Sequence, residues 1–334
     1  MTPEEALARV VHLLDRSFDQ TPRAKAFSRA LATVRRTDPD ELAQRAAAST
    51  LTDLDGIGDS TARIITEALQ GRQPAYLDKL EGTTEVPITP EGAAIRARLR
   101  GDCHCHSTWS DGGASTEAMA RTAMSLGHEY LVQTDHSPRL TIAHGLNRDR
   151  LLAQLDELAE LNERLAPFRV LTGMEVDILE DGSLDLDDDL LARLDVVVAS
   201  VHSKLRMERK QMTERMVLAA ASPHVDILGH CTGRMIGKRP ESTFDADYVF
   251  AACAQFNTAV EINCRPERLD PPDELLRVAI DYGCWFSIDS DAHATGQLEW
   301  QPHGCDKAAL TGVPVDRIVN TFPVDELLAW TGGR

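Results

Sequence analysis

VVVASVHS, residues 196–203, is five small or β-branched apolar residues followed closely by a histidine, and this pattern sets the fold. Such a run reads as a short buried strand, and His202 beyond it is a side chain able to hold a metal or a proton. The arrangement recurs along the chain. YLVQT (130–134) runs into Asp135 and His136, RVLTGMEVDI (169–178) contains Glu175 and Asp177, and VDILG (225–229) is followed by His230. AVEIN (259–263) is another such run, and CWFSI (284–288) leads into Asp289, Asp291 and His293. Helical patterns, such as 149–165 and 270–282, lie between the runs. Strands and helices alternating at this length imply a parallel sheet, either doubly wound or closed into a barrel. Barrel enzymes keep their active sites at the C-terminal ends of their strands, where these metal-capable residues fall. One histidine there would be an ordinary loop residue. Three strands ending in histidine, flanked by an HxH and a DxH, argue for a metal centre.

The first strand supplies the HxH. In GDCHCHSTWSDGG (101–113) a period of two puts Asp102, His104 and His106 on one face and Cys103 and Cys105 on the other. Strict alternation prevents two cysteines and two histidines from converging on one zinc tetrahedron, so a Cys₂His₂ knuckle is excluded and the cysteines are read as small apolar residues. The chain has seven cysteines, an odd number without framework spacing, so reduced thiols are expected. With 334 residues, 43% of them hydrophobic, it has room for one large and one small domain. No apolar run is long enough to cross a bilayer, and MTPEEALARVVHLL lacks the basic and apolar regions of a signal peptide. The expectation is a cytoplasmic monomer. A net charge of −18 argues against a generic nucleic-acid coat. Residues 1–80, however, hold 11 Lys/Arg against 12 Asp/Glu, and 23–36 carry Arg23, Lys25, Arg29, Arg35 and Arg36 with no acid, so one local basic patch is available. Residues 1–80 read as helices, 81–100 as a linker rich in Gly and Pro, and 101–334 as the strand–helix domain.

The candidate metal ligands are His104, His106, Asp111, His136, Glu175, His202, His230, Asp291 and His293. Imidazole mixed with carboxylate suits Zn²⁺, Mn²⁺ or Fe²⁺. Nine ligands exceed the needs of one catalytic ion and suffice for two or three, with Glu175 bridging. Adjacent divalent ions suit phosphate-ester cleavage by a metal-bound hydroxide. Lys204, Arg206, Arg234, Lys238, Arg239 and Arg265 lie near strand ends and are candidates for holding substrate phosphates, each with solvated surface charge as the plain alternative. Ser107, Ser110, Ser137 and Ser203 follow ligands and are placed to orient them, and His144 is within loop reach of substrate. His12, His128 and His224 read as structural.

HxH with SDG, TDHS, GxExD, SVHS, a strand-terminal GH and SDAH together resemble the polymerase-and-histidinol-phosphatase (PHP) phosphoesterases. The resemblance covers roughly 100–330 and implies a distorted seven-stranded (β/α)7 TIM-like barrel with a trinuclear centre. By motif, one metal takes His104, His106, Glu175 and Asp291, a second Glu175, His202 and His230, and a third Asp111, His136 and His293. HSTWSDG, LVQTDHSP, GMEVDILEDGSLD, VVVASVHS and GRMIGKR are further similar to the C-terminal domain of bacterial family X DNA polymerases. That likeness implies Mn²⁺-dependent 3′→5′ exonuclease or abasic-site endonuclease activity.

LTDLDGIGDSTARIITEAL (51–69) resembles the helix-hairpin-helix of the same family's small all-α N-terminal domain, with Gly56-Ile57-Gly58 as the hairpin. Arg23, Lys25, Arg29, Gly56 and Gly58 are its candidate DNA contacts, glycines allowing close backbone approach to phosphate. Two departures stand out. Ile64 occupies the position of the Schiff-base lysine of lyase-competent relatives, so lyase activity is not expected. The polymerase core that separates the two regions in the family is missing, and Asp55 and Asp59 beside the hairpin oppose phosphate. The expectation is a DNA exonuclease or abasic-site endonuclease of DNA repair, with two rivals: a small-molecule phosphatase acting on a substrate such as histidinol phosphate, and a non-catalytic DNA- or protein-binding module.

Overall fold

Thr-Pro and Asp-Pro pairs open the first helices. Thr2, Thr21 and Asp38 each cap a helix whose first residue is proline, which has the right φ and no amide hydrogen to leave unsatisfied. The computed structural model describes residues 1–19 and 21–332. It divides into two units, Met1–Val86 with Thr295–Gln297, and Pro87–Ala294 with Leu298–Arg334.

The first unit is helical: α1 (Pro3–Arg16), α2 (Pro22–Arg36), α3 (Pro39–Ala48), α4 (Asp59–Leu69) and α5 (Ala75–Glu81). Residues at helical spacing, among them Leu7, Val10, Leu13, Phe27, Ile64 and Leu77, bury one face of each helix in a common core. A turn through Gly56, at φ 80, links α3 to α4. The turn is fastened to α2 by Thr33 Oγ1, which donates to Asp55 O at 2.8 Å.

The second unit starts with α6 (Pro90–Arg96), so part of the stretch read as linker packs on this unit. Thr89 donates from N and Oγ1 to Asp306 Oδ1 at 2.9 and 2.6 Å, and a Cβ on Gly92 would lie 1.9 Å from that same oxygen. Strands and helices then alternate. The order is β1 (Gly101–Cys105), α7 (Thr116–Ser125), β2 (Tyr130–Gln133), α8 (Arg148–Leu165), β3 (Arg169–Asp177), α9 (Asp188–Leu191), β4 (Val196–Ser200), α10 (Arg209–Ala220), β5 (Ile227–Leu228), α11 (Ala246–Phe256), β6 (Ala259–Asn263), α12 (Asp273–Asp281), β7 (Phe286–Asp289), α13 (Gln301–Thr311) and α14 (Val324–Gly332). Every strand pairs in parallel with its neighbour in sequence, giving the order β1 to β7. The strands are almost wholly buried, as a parallel sheet covered on both faces requires.

The sheet nearly closes into a distorted seven-stranded barrel. At the β7–β1 seam side chains replace much of the ladder. Asp289 Oδ1 accepts from Cys103 N at 2.8 Å, Asp102 Oδ1 accepts from Ser290 N at 3.2 Å, and His106 N donates to Ala292 O at 2.8 Å. Burial first, and neighbouring carboxylates second, raise the pKa of both Asp102 and Asp289. β5 is shorter than the apolar run VDILG, and beside it Asp226 Oδ2 accepts from Val197 N at 2.7 Å. Among the described residues no helix is long and apolar enough to cross a membrane.

Candidate metal centre

Each barrel strand except β6 delivers a metal-capable side chain to the C-terminal mouth, and the nine candidates converge there. β1 carries His104 and His106 on its inward face, both fully buried, while Cys103 and Cys105 pack into apolar clusters. Asp111 comes from the loop after β1, His136 from the end of β2, Glu175 from β3, His202 and His230 from the ends of β4 and β5, and Asp291 and His293 from beyond β7.

Glu175 is the hub. Its Oε2 lies 2.9 Å from His136 Nδ1, 3.4 Å from His104 Nε2 and 3.5 Å from His106 Nε2. Its Oε1 lies 2.8 Å from His230 Nε2 and 3.1 Å from His202 Nε2. Asp111 Oδ1 faces His293 Nε2 at 3.5 Å and His136 Nε2 at 3.6 Å, and Asp291 Oδ1 faces His106 Nε2 at 3.4 Å. Three overlapping clusters result, each with ligand atoms within 4.8 Å of one another: His106, Asp111, His136 and His293; His104, His106 and Asp291; and His136, Glu175 and His202. His106 and His136 each belong to two of them.

Divalent ions fit this donor set. His104 Nε2, both ring nitrogens of His106, and Nδ1 of His136, His202 and His230 are buried without a hydrogen-bond partner. So many orphaned imidazole nitrogens facing carboxylates call for cations between them. Glu261, on β6, orients one candidate ligand: it accepts from Nδ1 of His104 at 2.6 Å, which turns Nε2 toward Glu175 and Asp291. The protonation pattern is split. Burial lowers His106 well below its ordinary value, aided by His293 and His136, and burial with Arg268 lowers His230 to about 4. Burial also opposes charge on His104 and His202, but Glu261 and Glu175 raise His104, and Glu175 with Asp177 raises His202 to about 9. Against burial, the surrounding imidazoles hold Glu175 and Asp111 well below the usual carboxylate range.

The loop bearing Asp111 is held by a residue with no place among the candidates. Asp135, fully buried, accepts from Ser107 N at 2.9 Å, Ser107 Oγ at 2.8 Å, Ser110 N at 3.1 Å, Gln133 Nε2 at 2.8 Å and Gln154 Nε2 at 2.6 Å. Ser137 Oγ donates to Asp185 at 2.9 Å and accepts from Asp177 N at 3.0 Å, while Ser203 O accepts from the buried Arg215 Nη1 at 2.9 Å.

The cationic candidates divide. Arg265 reaches the centre: its Nη1 is 3.0 Å from His293 Nδ1 and 3.6 Å from Asp291 Oδ1. Arg268, which the sequence reading passed over, lies beside it with Nε 3.4 Å from Asp291 Oδ2. Asp291, at φ 50, is thus gripped by two guanidinium groups and by Asn263 Nδ2 at 3.1 Å. Nε of Arg265 and both Nε and Nη1 of Arg268 are buried without a hydrogen-bond partner. Lys204 and Arg206 are exposed, and Lys238 is exposed with an ion pair to Glu267 at 3.3 Å. Arg234 Nε and Arg239 Nε instead donate to the carbonyls of Arg268 and Gly233, both at 2.7 Å, and shape their own loop. In the helical unit Lys25 and Arg29 are exposed, Arg23 stacks on Tyr76 at 4.5 Å, and Gly58 N donates to Thr61 Oγ1 at 2.9 Å.

The PHP domain family matches residues 102–264. A Bacillus subtilis (strain 168) protein named "DNA polymerase/3'-5' exonuclease PolX" is 38% identical over 233 residues, 70% of this chain, and the chain spans 41% of that relative's length. A "Probable phosphatase" of Thermoanaerobacter sp. (strain X514) is 27% identical over 232 residues, 66% of this chain and 89% of the relative. Among solved structures, a histidinol phosphate phosphatase of Lactococcus lactis, complexed with zinc, L-histidinol and phosphate, is 17% identical with a TM-score of 0.44, covering 63% of this chain and 94% of that one.

Proposed function

We propose that the chain, matched by the PHP domain family over residues 102–264, is a phosphoesterase whose substrate is the phosphodiester backbone of DNA, cut as a 3′→5′ exonuclease or at abasic sites. The observation that carries this reading is the convergence of nine imidazole and carboxylate groups with Glu175 as their hub, beside the unsatisfied guanidinium donors of Arg265 and Arg268. The likeness to a relative named for 3′–5′ exonuclease supports DNA as the ester's source.

In this reading His104, His106, Glu175 and Asp291 hold a first ion, Glu175, His202 and His230 a second, and Asp111, His136 and His293 a third, of Mn²⁺, Zn²⁺ or Fe²⁺. When bound, adjacent divalent ions supply Lewis acidity toward phosphoryl oxygens and make an attacking water acidic enough to react at neutral pH. The chain's own groups do the rest. Glu261 keeps His104 in the Nδ1–H tautomer, and Asp135 holds the loop that presents Asp111. Arg265 and Arg268 bind the phosphoryl oxygens with donors that need no reorientation. Lys204, Arg206 and Lys238 attract the flanking backbone, and the helical unit, a helix-hairpin-helix in this reading, adds Lys25, Arg29 and the Gly56–Gly58 turn.

A small phosphomonoester is the second reading, favoured by the "Probable phosphatase" relative matched over 89% of its length and by the −18 charge. Purified protein with Mn²⁺ is to be incubated in parallel with a 5′-labelled oligonucleotide, an abasic duplex and histidinol phosphate. Stepwise shortening or abasic-site nicking, lost in His106→Ala, supports the nuclease; turnover of histidinol phosphate alone refutes it.

A further inference from the structure

The buried face of α10 holds Met212, Met216 and Ala219, and among them an arginine. Arg215 is 1% exposed and is one of the largest fully buried side chains among the described residues. A guanidinium taken out of water is costly unless its donors find good acceptors. Nε and Nη2 both donate to Ile178 O, the former at 3.0 Å, while Nη1 donates to Ser203 O at 2.9 Å and to Met207 Sδ at 3.3 Å. Each of these acceptors is neutral. Asp177, Glu180 and Asp181 are near enough to favour the charge, but the bonds go to main-chain carbonyls.

Those two carbonyls lie where the sheet stops. β3 and β4 pair in register as far as Asp177 and Ser200, and Ile178 N adds a bond to Ser200 O at 2.8 Å. Beyond that the two chains part. One enters a turn in which Leu179 N donates to Ser183 O at 2.8 Å; the other runs through His202 and Ser203 to Lys204, at φ 54. The turn is pressed onto α10, since a Cβ on Gly182 would lie 2.7 Å from Leu218 Cβ and 3.1 Å from Arg215 O. His202 thus stands two residues past the last ladder pair. Its Nε2 is 3.1 Å from Glu175 Oε1, its Nδ1 is 3.5 Å from Asp177 Oδ1, and its main-chain N donates to that Oδ1 at 3.0 Å. Its side chain is 13% exposed against 2% for His230, so packing does less to fix it.

We infer that Arg215 is a positioning residue for the second ion: its guanidinium spans Ile178 O and Ser203 O where the ladder has ended, and so sets His202 against Glu175 and Asp177. This rests on the reading in which Glu175, His202 and His230 hold that ion, and it is independent of whether the substrate is DNA. The planar fork suits the task. Donors on two edges of one rigid group fix the separation of two acceptors, which an ammonium on a flexible stem does not. Bonds from a charged donor are also stronger than neutral ones. If the space under the strands needed only filling, a methionine like its neighbours Met212 and Met216 would serve without burying a charge.

The test compares the full-length parent with Arg215→Lys and Arg215→Gln, which keep a donor but lose the fork. Each protein, stripped with a chelator, is titrated with Co²⁺ and followed by the visible bands of the bound ion; the ions retained after gel filtration are counted. In both variants one ion is expected to bind about 10- to 100-fold more weakly, with altered bands, while the others are retained. In a His202→Ala background Arg215→Lys should cause no further loss, because the effect runs through that imidazole. Folded variants that take up Co²⁺ as the parent does, with the same bands, would overturn the inference, and so would a further loss in the His202→Ala background. Failure of both variants to fold, judged by circular dichroism, would also overturn it, since Arg215 would then serve the fold itself. A parent that binds no Co²⁺ removes the ion assignment beneath the inference, an outcome distinct from any difference among the variants.

Discussion

At the scale of single residues the centre depends on groups that never face the substrate. Glu261 is buried on β6, where it meets His104 Nδ1, the amide of His230 and Asn263 Nδ2, and it sets which nitrogen of His104 faces the other candidate ligands. Glu261→Gln removes the carboxylate that fixes the tautomer. A metal-chelator titration should then show affinity falling about 10- to 100-fold, with the fold retained by circular dichroism. Arg268 differs in kind. Its unsatisfied donors beside Asp291 are read as phosphate binders, so Arg268→Ala should raise KM for a phosphodiester about 10- to 100-fold, the value of a charge-assisted hydrogen bond, while the number of bound ions stays the same. A loss of ions with unchanged KM would instead make Arg268 a support for Asp291.

At the scale of elements, two contacts that hold α6 and the start of β2 make separate predictions. Gly92 of α6 faces Asp306 of α13 with no room for a methyl group. Gly92→Ala should lower unfolding free energy by about 1–3 kcal/mol in urea, the cost of overpacking. His128, just before β2, is buried with Nε2 2.9 Å from Arg96 Nη2, and burial with that guanidinium lowers its pKa to about 3. The folded chain therefore keeps His128 neutral, whereas the unfolded chain protonates it below about 6.5. Unfolded chain then binds the extra proton, so this contribution is whole above pH 6.5 and is lost as pH falls toward 3. Between pH 7 and pH 5 the parent should lose about 2 kcal/mol more than His128→Gln in parallel urea titrations; equal losses would mean the imidazole is not kept neutral. The same elements explain what was readable in the sequence. Histidines just past β-branched runs announce themselves by position, so β2, β4 and β5 could be aligned with their candidate ligands from the sequence. Glu261 could not, because inside AVEIN it looks like one more alternating residue. Arg268 could not, because it reaches Asp291 only through the reverse turn in which its own N donates to Arg265 O at 2.9 Å. Arg234 and Arg239 sat in a promising segment, but their guanidinium groups bond to nearby carbonyls, which no spacing rule reveals.

At the scale of the whole molecule, charge sets a tension. A chain of net −18 has to bring in an anion, so attraction must come from local cations and from bound metal rather than from the overall field. Reversing Lys25 and Arg29 to Glu on the exposed side of α2 should therefore raise KM for an oligonucleotide several-fold at low salt, with the difference shrinking as salt rises and hydrolysis of bis(p-nitrophenyl) phosphate unaffected. Equal effects on both substrates would assign the helical unit a purely structural part. The most direct test of the central claim is a time course of a 5′-labelled single-stranded oligonucleotide with the Mn²⁺-loaded protein, beside Glu175→Gln. The parent should produce a ladder of products shortened one nucleotide at a time from the 3′ end, and Glu175→Gln should leave the oligonucleotide intact. An oligonucleotide that survives the parent protein while histidinol phosphate is turned over would contradict the account.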